Sequence, residues 1–293
     1  MRSLSRALGV GCILLGACSK PAPVDFSDAD RAVQAKDFPA AVARLEELRK
    51  QHGPQSDVLL RLTRVYQAQG EYGKAVACYK EGVAAHPESA ELWYAFGSMY
   101  LDLAQLERAR EAFESARGAG MSDAQLALTL GMCRGRLGDL DGAEKEFERA
   151  KAAGVSAALV AYNRAVVLLA QGQAQEGRDL LEETLREKPD LAIARRELAR
   201  AILADDAKDE AAITRAVALA WEAVGAMPDD WRSHDVLGEA YLAQKDWEAA
   251  KAAFVEALRL SQSAGQYVEV VEEHYREAER MLRAAAKAGP KQG

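Results

Sequence analysis

The chain has 293 residues, of which 49% are apolar and 28% charged, and its formal net charge is −7. This much apolar material can form a sizeable core, whereas the acidic balance argues against a nucleic-acid-binding protein, which needs a basic face to contact phosphates. Alanine is abundant and Asn163 is the only asparagine. Because alanine favours helices and asparagine favours turns, we expect an all-α fold.

The N-terminal segment 1–17 has the layout of a secretory signal peptide. Arg2 and Arg6 form a positive region, and the apolar run over residues 8–15 is too short to span a bilayer. The sequence LGAC at residues 15–18 resembles the lipobox of bacterial lipoproteins, in which cleavage leaves a lipid-modified cysteine at the new N-terminus.

The lipobox resemblance implies that residues 1–17 are removed and that Cys18 carries a covalent lipid. By the sorting rule of enteric bacteria, Ser19 in place of aspartate implies the outer membrane, with the protein facing the periplasm. Residues 18–28 would then be the lipidated N-terminus and a short tether. Two alternatives remain open: an ordinary signal peptide with an unrelated cysteine, and a short membrane anchor.

A pattern of small and large residues repeats about every 34 positions through the rest of the chain, a period typical of helix-pair solenoids. Small residues recur at this interval at Thr63, Gly97, Gly131, Ala165 and Ala199. Gly70, Ala104, Gly138 and Gly172 share the interval, as do the large residues Tyr79, Phe113, Phe147 and Leu181. Such a pattern predicts stacked units of similar structure.

The repeat resembles the tetratricopeptide repeat (TPR), whose signature is followed most clearly over residues 93–116. Its signature positions are Trp93, Phe96, Gly97, Tyr100, Ala109, Phe113 and Ala116. The resemblance implies units of two antiparallel helices, in which the small residues let helices approach closely and the large ones fill the space between units.

We therefore predict a right-handed α-solenoid over residues 29–264. It would contain about seven repeats, at approximately 22–55, 56–89, 90–123, 124–157, 158–191, 192–230 and 231–264. The sixth has about five extra residues around 205–212, which we expect to lengthen the turn between its two helices. Cys78 and Cys133 lie two repeats apart, too far for a disulfide, so we expect two unpaired core thiols.

The last repeat is followed by a predicted capping helix at residues 265–287 and a frayed tail at 288–293. The apolar face of this helix consists of Val268, Val271, Tyr275, Ala278 and Leu282. Such a helix would cover the open end of a solenoid.

No catalytic or metal-binding motif accompanies the repeats. The four histidines are scattered without metal-ligand spacing, and there is no phosphate loop and no nucleophile elbow. We therefore expect neither an enzyme nor a metal site, and no cofactor apart from the lipid on Cys18. The alternative is an enzyme built on a helical-repeat scaffold.

The TPR resemblance implies which first-helix positions face the concave side of the solenoid. The candidate partner-binding residues at these positions are Leu60, Arg64, Tyr94, Leu101, Leu128, Met132, Tyr162, Val166, Arg196 and Arg200. An apolar floor with arginines at its ends suits an apolar peptide or an amphipathic helix with acidic flanks. The alternative is that these side chains pack against opposing helices or are covered by the tether.

The expected function is that of a non-catalytic, membrane-anchored adaptor that binds a protein or peptide in its concave groove. Its role would be in the assembly of a complex of the cell envelope. A pilotin-like factor for assembly of the type IV pilus secretin is an alternative within this class.

Overall fold

The computed structural model describes residues 24–263 and 269–288, and every regular element within these ranges is an α-helix. The fifteen helices are α1 (Ser27–Gln34), α2 (Phe38–His52), α3 (Ser56–Ala68), α4 (Tyr72–Ala85), α5 (Ala90–Asp102), α6 (Leu106–Gly118), α7 (Ala124–Arg136), α8 (Leu140–Ala152), α9 (Ala157–Ala170), α10 (Ala174–Glu187), α11 (Ala192–Leu203), α12 (Glu210–Ala226), α13 (Trp231–Gln244), α14 (Trp247–Ser263) and α15 (Glu269–Ala288). The predicted signal peptide, Cys18, Val268 and nearly all of the predicted tail lie outside the described residues.

Consecutive helices form pairs that stack in chain order. Each odd-numbered helix from α1 to α13 packs on the next helix, and the extensive helix–helix contacts join only helices of the same or the adjacent pair. This arrangement confirms the predicted all-α solenoid. Below, each pair is called a unit, and its members are the first and second helix.

The extra residues of the sixth unit affect two elements. The turn between α11 and α12 occupies residues 204–209, whereas the turn between α9 and α10 occupies only 171–173. The second helix α12 is also longer, with 17 residues against 14 in α10. The sequence predicted the longer turn but not the longer helix.

In three units, a glycine on the first helix makes room for a phenylalanine on the second. A methyl group on any of these glycines would lie between 2.4 and 2.7 Å from the ring, closer than van der Waals contact allows. The pairs are Gly97 with Phe113, Gly131 with Phe147 and Gly238 with Phe254. The expected role of Gly97 and Gly131 as helix-contact positions is confirmed.

Many first helices begin at a side chain that accepts a hydrogen bond from their own backbone. Asp123 accepts one from the Leu126 amide at 2.7 Å, and Asp230 accepts one from the Ser233 amide at 3.1 Å. These caps satisfy amides that have no partner within the helix. Each cap thereby stabilises the first turn of its helix.

The two cysteines of the described residues are buried and unpaired, as expected. Burial raises the pKa of both thiols, that of Cys133 to about 11. A thiol reacts as its thiolate, so these are inert core residues.

The helix α15 covers the end of the stack. Its Val271 and Ala278 are buried against a cluster that includes Phe254 and Ala257 of α14, and Tyr275 packs beside them. Within the described residues, no helix has the length and apolar character to cross a membrane.

Candidate functional site

The predicted partner-binding residues lie on five successive first helices. Leu60 and Arg64 are on α3, Tyr94 and Leu101 on α5, Leu128 and Met132 on α7, Tyr162 and Val166 on α9, and Arg196 and Arg200 on α11. Among the first helices, direct contacts join α3 with α5, and α7, α9, α11 and α13 in succession. The ten residues are called here the first-helix surface.

The charge of Asp102, at the end of α5, is influenced by the seventh unit. Asp102 is exposed, burial raises the pKa of its carboxyl, and Arg232 of α13 opposes that rise.

The apolar residues of this surface are partly built into the core. Leu128 is only 5% exposed, whereas Leu60, Tyr94 and Met132 are half-buried. The Tyr94 ring lies 5.3 Å from the ring of Phe113, and burial raises the pKa of Tyr162. Leu128 therefore has little surface left for a partner, and the tyrosines are shared between the core and the groove.

Arg196 does not provide the free charge that the sequence predicted. It is 8% exposed, and its guanidinium donates hydrogen bonds to Asp230 at 2.6 Å and to Glu197 at 3.1 Å. Because Asp230 also caps α13, Arg196 joins the sixth unit to the seventh. The physical reason is that a buried guanidinium requires carboxylate partners, and the adjacent unit supplies one of them.

The two remaining arginines of the first-helix surface differ from each other. Arg200 pairs with Glu197 at 3.2 Å. Arg64 is exposed, and no carboxylate within the described ranges lies within ion-pair distance of it. The predicted cationic flanks therefore reduce to one free arginine at the end near the second unit.

A cavity of about 880 Å³ opens on the first-helix surface between α9, α10 and α11. Its lining includes Val166, Leu169, Ala170, Arg200, Ala201, Ala204 and the turn residues Asp205, Asp206 and Ala207. Two of the predicted residues, Val166 and Arg200, thus meet in one place. Sequence reasoning missed the wall formed by the lengthened turn, although the extra residues around 205–212 were the available signal.

Two ion pairs lie among the charged residues that line this cavity. Arg178 donates a hydrogen bond to Asp205, and this bond holds the pKa of the aspartate below its usual value. Arg200 is held by Glu197. Glu176 and Asp206 also line the cavity, so it combines an apolar floor with a rim on which carboxylates outnumber arginines.

One group of side chains within the described ranges could hold a metal ion. Asp235 and Glu239 on α13 and His274 on α15 bring ligand atoms within 4.8 Å of one another. The sequence does not predict this group, because the histidine is 39 positions from the aspartate with which it forms a hydrogen bond. No ion is needed to explain this contact, which is a direct hydrogen bond of 2.9 Å.

Family models with the description "Tetratricopeptide repeat" match residues 32–97, 94–158, 128–192, 162–224 and 232–263. No protein of curated function matches the chain.

Solved structures of the same architecture cover most of the chain. A tetratricopeptide repeat protein from Parabacteroides merdae has 17% identity and a TM-score of 0.66, covering 87% of this chain and 97% of its own. Yeast Tom70 has 13% identity and a TM-score of 0.55, covering 86% of this chain and 60% of its own. At these identities the likeness concerns the fold. Together with the repeat matches, it establishes that the chain belongs to the tetratricopeptide repeat family.

Proposed function

We propose that this protein is a non-catalytic adaptor that binds an apolar segment of a partner protein at the cavity between α9 and α11. TPR solenoids are scaffolds typical of protein–protein interaction. The observation that carries the proposal is the cavity itself, which is large, apolar at its floor and continuous with the first-helix surface.

The chemistry of the cavity favours an apolar ligand. Val166 and Leu169 are half-buried, so each retains surface that a partner side chain can cover. Both rim arginines are paired and the rim has more carboxylates than arginines, so this end does not favour an acidic flank on the ligand. A short helix or extended peptide with two or three large apolar side chains would bury them here, as in other groove-bound peptides.

The binding proposal is tested by filling the cavity. Ala170 is exposed and lines it, so Ala170→Trp blocks the space without disturbing the core. Partners that co-purify with the full chain from its native cells would be identified by mass spectrometry and their affinity measured. We expect Ala170→Trp to weaken binding at least about tenfold, equivalent to about 1.4 kcal/mol.

The control is Ala85→Trp, at the exposed last residue of α4 and remote from the cavity. It should leave binding unchanged. Equal affinity of the Ala170→Trp variant and the wild-type chain would show that the partner binds elsewhere.

We also propose that the adaptor is a lipoprotein of the outer membrane that faces the periplasm and acts in assembly of an envelope complex. The support is the LGAC sequence at residues 15–18 behind a positive and apolar leader. A lipid on Cys18 would be the anchor, since acyl chains contribute about 0.8 kcal/mol per buried CH₂. We expect Cys18→Ala to release the protein from membranes; a variant that stays firmly bound through a carbonate wash would contradict the lipid anchor.

A further inference from the structure

The tenth residue of each predicted repeat is a buried position of the first helix. From the second to the seventh repeat, this residue is always apolar and at most 7% exposed. The six residues are Val65, Met99, Cys133, Val167, Ala201 and Ala240. The close approach of Val167 to Gly135 of the preceding first helix shows the contact that this position makes.

The capping helix α15 departs from this rule. His274 follows Ala240 by one full repeat period and occupies the tenth position of the sequence that continues the repeat. Its Nδ1 atom lies 2.9 Å from Oδ1 of Asp235 and 3.7 Å from Oε1 of Glu239. At this position, the last interface of the stack therefore has a histidine and two carboxylates in place of an apolar residue.

The carboxylates of this group are also unusual for their positions. Asp235 and Glu239 are the fifth and ninth residues of the seventh unit, where the fourth unit has Leu128 and Met132. Asp235 is only 4% exposed. A buried carboxylate is costly without a partner, and His274 on the opposing helix is the hydrogen-bond partner that this one has.

The remaining charges around His274 are few. On its own helix, the charge of Glu277 raises the pKa of His274. From α11, the Arg200 guanidinium lowers the pKa of Glu239 and Glu197 raises it. From α14 the contact is the apolar ring of Phe254, whose centroid lies 5.5 Å from that of the imidazole. A positive charge on the imidazole is therefore surrounded mainly by negative groups.

We propose that α15 is a proton-dependent cap: protonated His274 holds it on the seventh unit, and loss of that proton loosens it. Apart from this contact, α15 is held by two buried side chains, Val271 and Ala278, the only ones among residues 269–287, and by an ion pair of 3.0 Å between Glu279 and Lys251 of α14. Loosening would uncover Phe254 and Ala257 of α14, against which α15 packs, and free Asp235 and Glu239 at the end of the first-helix surface.

Two groups weaken the cap in the same direction as pH rises. The hydrogen bond with Asp235 raises the pKa of His274, so its contribution is complete below the usual histidine value of about 6.5 and is lost as pH rises through the raised value. Burial raises the pKa of Glu239, so this residue too favours the docked state while protonated and opposes it once ionised.

A divalent cation is the other ligand that these three side chains could take. The 2.9 Å contact already joins His274 directly to Asp235, and the permanent charge of Arg200 acts on Glu239. Both features favour a proton over a metal ion, and the experiment below separates the two.

The test is hydrogen exchange of the full chain, read as protection factors so that the intrinsic effect of pH on exchange is removed. Between pH 6.0 and 8.5, we expect protection of α15 to fall at least about fivefold, while protection of α3 to α8 stays constant. In His274→Gln, α15 should be weakly protected at both pH values. The control His234→Gln, which alters a histidine bonded to the Pro228 carbonyl oxygen, should behave as wild type.

A second measurement needs no variant. The imidazole of His274, followed by NMR, should titrate above the usual histidine value of about 6.5. Titration at or below that value would overturn the proposal, as would protection of α15 that is independent of pH or that keeps its pH dependence in His274→Gln. If Zn²⁺ added after EDTA treatment protects α15 at pH 8.5 in the wild type but not in His274→Gln, the group is a metal site and the proton-dependent cap is wrong.

Discussion

The core differs between the second to fourth units and the fifth and sixth units. Each of the former has a buried ring on its second helix, Tyr79, Phe113 or Phe147. Between the second and third units the rings contact one another in series: the ring centroid of Phe96 lies 5.3 Å from that of Tyr79 and 4.5 Å from that of Tyr100. In the fifth and sixth units, the residues of the main buried cluster are alanine, leucine and isoleucine, with Leu181 and Ala220 on the second helices. We call these the aromatic region (α3–α8) and the aliphatic region (α9–α12).

The difference shows how one repeat sequence can provide both rigidity and a binding cavity. A ring fills the space between helices more completely than an alanine does, so the aromatic region has large, fully buried anchors. The cavity between α9 and α11 lies in the aliphatic region, next to the lengthened turn. The proposed partner-binding cavity therefore lies where the buried side chains are small and extra residues interrupt the repeat.

The largest expected effect is the removal of an aromatic anchor. Phe113 is fully buried, so Phe113→Ala should lower the free energy of unfolding by about 3–5 kcal/mol, because it removes a ring and leaves a cavity. Urea denaturation measures this value. The matched variant in the aliphatic region is Leu181→Ala, and a larger loss for leucine than for phenylalanine would reverse the comparison.

The next effect concerns the ion pair between the sixth and seventh units. Arg196→Met keeps most of the length of the side chain but removes the guanidinium that joins Asp230 to Glu197, which keep their bonds with Ser233 and Arg200. We expect a loss of about 3 kcal/mol, as when one member of a buried pair is removed. Arg64→Met, at the exposed arginine of the same surface, should have almost no effect on unfolding. An unchanged melting temperature in Arg196→Met would mean that this arginine is available to a ligand after all.

A smaller loss of stability is expected when a large side chain is introduced at a close-packed position of the aromatic region. Gly97→Leu would force its side chain into the ring of Phe113, and overpacking of this kind costs about 1–3 kcal/mol. Thermal unfolding of Gly118→Leu is the control, because a side chain at Gly118 meets no atom within 4 Å. Equal stability of the two variants would contradict the close contact of α5 with α6.

The smallest effect lies in the turns of the aromatic region. Gly138 has φ of +88° and the equivalent Ala104 has φ of +55°, a left-handed conformation that costs a residue with a Cβ about 1 kcal/mol. Gly138→Ala should therefore destabilise by about that amount, whereas Ala104→Gly should stabilise by somewhat less, since glycine also gains entropy when unfolded. Calorimetry that gave the same sign for both substitutions would contradict this account of the turns.

The regular repeat period explains why much of the fold could be predicted. Every unit repeats the same contacts, so Gly97 could be placed at a helix contact from sequence, although the identity of its neighbour, Phe113 of the same unit, came from the structure. The extension of α12 could not, because the extra residues can enter either the turn or the helix without changing the apolar pattern. The cavity depends on that choice and was missed for the same reason.

The candidate site was harder to predict because its residues interact across units. Arg196 is predicted from its position to face a ligand, yet its partner Asp230 lies one unit later. The partner of His274 lies 39 positions away in the sequence, whereas metal and catalytic motifs are sought among residues only a few positions apart. In both cases the relevant neighbour occupies the adjacent unit, so residues must be compared at the distance of a whole repeat.

The restriction of extensive contacts to adjacent units has a consequence for synthesis. Each unit acquires its outer neighbour only when the next repeat has emerged, so the chain can fold progressively from its N-terminal end. A nascent chain always carries one uncovered apolar face at its growing end, and α15 is the segment that finally covers it. Truncation within residues 269–288 should therefore leave a folded but association-prone product, whose self-association rises with concentration.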